Sequence, residues 1–91
     1  MKKAVKMTVK GSVQGVFFRR FVKDTADKLK LKGFVRNLSG GGVEVFAEGE
    51  IDDVDKLCEK CKEGPRHSII KSVNVSETSF QDLEDFKILH I

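Results

Sequence analysis

The stretch Val5-Lys6-Met7-Thr8-Val9-Lys10-Gly11-Ser12-Val13-Gln14-Gly15-Val16-Phe17-Phe18-Arg19-Arg20-Phe21-Val22 changes its hydrophobic period midway, and that change predicts a strand turning into a helix. Val5, Met7 and Val9 alternate with Lys6, Thr8 and Lys10, the period-2 mark of a sheet with one wet face. Gly11 and Gly15 interrupt the alternation. Beyond them Phe17, Phe18, Phe21, Val22, Ala26 and Leu29 recur at helical spacing, which predicts a helix from about Phe17 to about Leu31, ended by Gly33.

Outward from this unit, Phe34-Val35-Arg36-Asn37-Leu38 reads as a short strand running into Ser39-Gly40-Gly41-Gly42, and Val43 to Ala47 alternates again. The pair predicts a hairpin with a glycine-rich turn. Asp52 and Asp53 open a second helix, in which Val54, Leu57, Cys58 and Cys61 form one apolar stripe, and Gly64-Pro65 stops it. Ile69, Val73 and Val75 suggest a fourth strand, and Phe86-Lys87-Ile88-Leu89 a short fifth. This order predicts an α+β, ferredoxin-like βαββαβ sandwich: two helices on one face of an antiparallel sheet, with a short extra C-terminal strand. Many unrelated activities use that fold, so it names none of them.

With 91 residues, 40% hydrophobic and 34% charged, the chain is expected to form a single domain over 1–91, large enough to bury a core without metal or disulfide staples. No apolar run approaches the ~18 residues of a membrane span, and no signal-peptide stretch follows Met1, so the expected location is cytoplasmic. Cys58 and Cys61, the only cysteines, suit a reducing compartment. Residues 1–36 hold 11 Lys/Arg against 2 acids, net +9, and residues 37–91 hold 6 against 12, net −6, which together make the overall +3. A basic N-terminal third points to an anionic ligand, either a small phosphorylated molecule or a nucleic acid.

A glycine-bounded turn entering a helix can gather unpaired N–H groups into a phosphate-binding concavity, although the same glycines also suit a plain connection. At about 100° per residue from Phe17, Arg19 falls near ~200°, beside the buried face, and Arg20 near ~300°, toward solvent. A guanidinium at that border can bind two phosphoryl oxygens in parallel, or simply rest its stem on the core. Asn37 reads equally as a turn former before the glycines. Cys58 and Cys61 read as core packing, His67 and His90 as solvated or capping residues, and Lys28, Lys30 and Lys32 as the solvated end of the first helix.

Val9-Lys10-Gly11-Ser12-Val13-Gln14-Gly15-Val16-Phe17-Phe18-Arg19 resembles the first signature of the acylphosphatase family, with its Val-Gln-Gly-Val core and terminal arginine intact. Gly33-Phe34-Val35-Arg36-Asn37, followed by Gly41, Val43 and Gly49, is similar to the second signature. The resemblance implies hydrolysis of acyl phosphates to a carboxylate and inorganic phosphate. It further implies that Gly15, Val16, Phe17, Phe18 and Arg19 bind the phosphate and that Arg19 and Asn37 are catalytic, with Asn37 orienting the water. No cofactor and no metal are expected, the partner being a small-molecule acyl phosphate met by a monomer, with no nucleic acid and no membrane.

RNA binding is the main rival, because the pI is about 9.0 and Lys32-Gly33-Phe34-Val35 superficially resembles an aromatic RNA-binding strand. Such aromatics belong on the strand after the hairpin turn, where Glu44 and Glu48 flank a lone Phe46. A non-catalytic anion sensor using the same nest is the third possibility.

Overall fold

The computed structural model describes residues 1–14 and 16–90. Its elements follow the expected order: β1 (Lys2–Gly11), α1 (Val16–Lys28), β2 (Lys32–Asn37), β3 (Val43–Glu50), α2 (Ile51–Glu63), β4 (Ile70–Glu77) and β5 (Phe86–Leu89). They build one sheet in the order β4-β1-β3-β2-β5. The four long strands pair antiparallel, as the hairpin and the helical crossovers require, whereas β5 lies parallel to β2 and makes the sheet mixed.

The alternation in β1 does what its period dictates. Val5, Met7 and Val9 are buried and join Val35, Val43, Val45 and Ala47 in a core completed by Phe18, Val22 and Ala26 of α1 and by Val54, Leu57 and Cys61 of α2. Burial of side chains of this size contributes about 1.5–3 kcal/mol each, so this layer is the main source of stability.

The opposite face carries Phe34 stacked on Phe46 and, further along β3, Glu48. Glu48 is only 5% exposed because its two carboxylate oxygens accept the backbone N–H groups of Gln81 at 2.9 Å and Leu83 at 2.7 Å. These bonds pin the connection between β4 and β5, which must pass from one sheet edge to the other.

Helix α1 ends at Lys28, earlier than its periodicity suggests, and Gly33 is not its terminator. Lys30 takes φ 58° while its N–H donates to Asp27 O (3.1 Å) and the Leu31 N–H donates to Ala26 O (2.9 Å). That bond pattern is a Schellman motif with a lysine in the left-handed position usually held by glycine. Gly33 instead lies within β2 at φ +151°, where an added Cβ would drive into the Phe46 carbonyl. Helix α2 stops as expected, with the Gly64 N–H donating to Lys60 O at 2.8 Å. Among the described residues no helix is long and apolar enough to cross a membrane.

Candidate active site

The loop between β1 and α1 is held at several points. At Gly11, φ +138° and a register shift in the β1–β4 ladder bring the backbone so close to Ile69 that a side chain has no room, and the Ser12 N–H donates to Ile69 O at 2.8 Å. Val13 is fully buried. The Gln14 Nε2 group then donates to Leu38 O at 2.8 Å and to Gly42 O at 3.1 Å, latching the loop onto the β2–β3 turn. Gly15, an expected phosphate-binding residue, lies outside the described residues. Val16 and Phe17 are exposed at the start of α1, whereas Phe18 is buried and fixes the rotation of that first turn.

That rotation places Arg19 at the edge of the core. It is 8% exposed, while Arg20 is exposed, the difference that helical phase predicts. One terminal nitrogen of the Arg19 guanidinium, Nη1, lies 3.3 Å from His90 Nδ1 and 3.5 Å from the Leu89 carbonyl oxygen, just past and at the end of β5. Val16, Arg19, Arg20, Ile88 and His90 line a small cavity of about 100 Å³ there.

Asn37 reaches the same end of the sheet by strand order. It pairs with Val43, and Val43 pairs with Val9 on its other side, so Asn37 and the end of β1 flank one residue of β3. Two interstrand steps make that separation ~10 Å. The Asn37 side-chain oxygen is buried and has no hydrogen-bond partner among the described residues. Gln14, Arg36, Asn37, Leu38 and Ser39 line one cavity of about 480 Å³. The structure thus brings Asn37 together with Gln14, and Arg19 together with His90, on either side of one loop.

A roomier cavity of about 680 Å³, with Phe21 and Leu29 among its lining residues, lies between α1 and α2 and contains none of these residues. A phosphate site need not be large or apolar, because backbone N–H groups and one guanidinium bind the anion through directed charge. The groups whose ionisation is displaced also lie elsewhere: burial raises the thiols of Cys58 and Cys61, and a hydrogen bond to Asp55 raises Lys3. Cys58 and Cys61 are free and buried in α2. Among the described residues no cluster of three or more His, Cys, Asp or Glu side chains could hold a metal ion.

Two neighbours of the expected residues escape a reading by type and period. Gln14 is a polar loop residue whose only signal is its place within the first signature. His90 sits 71 positions from Arg19, and nothing local announces their contact.

The sequence profile of the acylphosphatase family matches residues 5–88. A protein of Syntrophus aciditrophicus named as an acylphosphatase is 41% identical over 91 residues, which span 99% of this chain and 95% of the relative. Among solved structures, an acylphosphatase from Coxiella burnetii superposes with a TM-score of 0.91 at 42% identity, covering 97% of this chain and 93% of the other. The acylphosphatase of Bacillus subtilis gives 0.92 at 37% identity, over 99% of this chain and all of the other.

Proposed function

This chain belongs to the acylphosphatase family, a family of hydrolases, and from that premise we propose that it hydrolyses acyl phosphates without a metal. The phosphoryl group binds the backbone amides of 15–19 and the Arg19 guanidinium, and Asn37 orients the attacking water. The observation that carries this reading is the strand order, which brings Asn37 to the sheet end that holds the β1–α1 loop, where it lines a cavity of about 480 Å³ with Gln14 of that loop.

The chemistry suits this short list of groups. The departing carboxylate has a reference pKa near ~4, so it leaves without a general acid at neutral pH. A loose phosphoryl-transfer transition state demands mainly positioning and charge stabilisation, which backbone N–H groups, one arginine and one amide supply. With no acidic or imidazole side chain at the signature positions themselves, a phosphate oxygen of the substrate accepts the proton from water.

The test is release of inorganic phosphate from an aromatic acyl phosphate by the purified protein. An RNA-binding module or an anion sensor releases none. Arg19→Gln is expected to raise KM and lower turnover, and Asn37→Ala chiefly to lower kcat. Equal, small losses for both would refute the two roles. A neutral-range titration in kcat that vanished on replacing either His67 or His90 would refute the substrate-oxygen base.

A further inference from the structure

Resting on the acyl phosphate hydrolysis proposed above, we infer that Phe17 is a specificity-determining residue: its ring receives the acyl group of the substrate, so that acyl phosphates with an aromatic acyl group bind more tightly than those with a small one. Phe17 is 85% exposed, although its neighbour Phe18 is buried in the core and Phe21, one turn further on, is half-buried against it. A single exposed apolar side chain is ordinary on a protein surface. What sets Phe17 apart is its place relative to the line along which phosphoryl transfer runs.

Period 2 along β2 puts Asn37 on the same side of the sheet as Val35, which is buried in the core with Phe18 and Val22 of α1. A water oriented by Asn37 therefore lies on the sheet side of the first turn of α1. In phosphoryl transfer the attacking and leaving oxygens stand roughly in line, so the carboxylate departs on the side away from the sheet. Around α1 the buried Phe18, Arg19, Val22 and Ala26 fall between about 100° and about 200° from Phe17, which leaves Phe17 on the outward face. Side chains of a helix also lean toward its N-terminus, so Phe17 leans toward the end of α1 where the proposed phosphoryl site lies. Val16, likewise exposed, extends the same apolar rim. An acyl group pointing outward from that site meets this ring, whereas the inward side of the turn is already filled by Phe18. Because the contact is the same in bound substrate and transition state, it belongs in KM and not in kcat.

Benzoyl phosphate and acetyl phosphate share the reacting bond and differ in the acyl group. The unsubstituted protein is expected to show a KM for benzoyl phosphate about tenfold below that for acetyl phosphate, the size of one aromatic contact. Phe17→Ser and Phe17→Ala keep the backbone N–H and remove the ring, and each is expected to bring the two KM values to within about twofold of one another. Phe17→Tyr keeps the ring face and is expected to keep the tenfold ratio to within about twofold. Comparing ratios between variant and parent cancels the unequal leaving abilities of the two carboxylates and any general damage to the site, which moves both constants alike. Equal KM values in the unsubstituted protein, an unchanged ratio in whichever of the Ser and Ala variants folds, or a Tyr variant that loses the preference as they do would overturn the assignment, while hydrolysis of both substrates by the unsubstituted protein left the proposed function standing. If the unsubstituted protein hydrolysed neither, the proposed function would fall, and this inference with it.

Discussion

Asn37 combines two properties that usually exclude each other, a buried polar atom and no protein partner for it among the described residues. Removing such an atom relieves a desolvation cost, so Asn37→Ala should leave unfolding free energy unchanged or raise it by about 1 kcal/mol, while kcat falls about 10²-fold. Urea denaturation and steady-state kinetics on the same preparation check both halves. A variant that lost stability and activity together would make Asn37 an ordinary structural residue. Arg19 differs from it in kind: it is 8% exposed, and its Nη1 lies beside His90 Nδ1 and the Leu89 carbonyl oxygen, so the neighbours decide where its charge sits. Arg36, next along β2, is tied by Nε to Glu44 Oε1 at 2.8 Å and shows how differently two successive residues of one strand can be used.

At the scale of elements, two connections carry expense that a substitution can expose. Lys30 holds a left-handed conformation to close the Schellman motif behind α1. A non-glycine residue is strained there by roughly 1 kcal/mol, so Lys30→Gly should raise thermal stability, and a fall in Tm would contradict the motif. The crossing from β4 to β5 depends on Glu48, whose carboxylate accepts two backbone N–H groups from a nearly fully buried position. In Glu48→Gln the amide oxygen can serve one donor and the NH₂ group meets the other, leaving it unpaired. Unfolding free energy should drop by about 2 kcal/mol in urea titrations. A loss near zero would mean that the crossing is held by packing alone. The same crossing delivers β5 to α1, so element and residue scales meet at Arg19.

For the whole molecule, the two thiols report on global unfolding. Burial pushes Cys61 up to about 12 from an ordinary value of 9.0, and burial also raises Cys58. Above pH ~9 the unfolded chain loses thiol protons that the folded chain keeps, so the unfolded state binds fewer protons and stability declines as pH rises. The Cys61 contribution is fully present below pH 9 and is lost as pH climbs toward 12, with a slope of up to about 1.4 kcal/mol per pH unit. Urea midpoints between pH 8 and pH 11 measure that slope, and Cys61→Ala should flatten it while lowering stability at every pH through the cavity it leaves. The same proportion between local and global holds for what could be read in advance. Period-2 and helical spacing specify which side of each element is buried, and that is a local property, so the element order, the core stripe of α2, the Gly64-Pro65 stop and the border position of Arg19 were all legible in the chain. The positions of the family signatures were legible for the same reason, since each lies within one short span. Where α1 stops was not legible, because Lys30 closes it with a conformation that lysine seldom adopts. Strand order was not legible either: only the ladder β1-β3-β2 brings Asn37 back beside the loop, and only the crossing to the far edge brings His90 to Arg19. Those meetings join residues far apart in sequence through the packing of the entire sheet, and no periodicity within a segment records which distant segment will lie beside it.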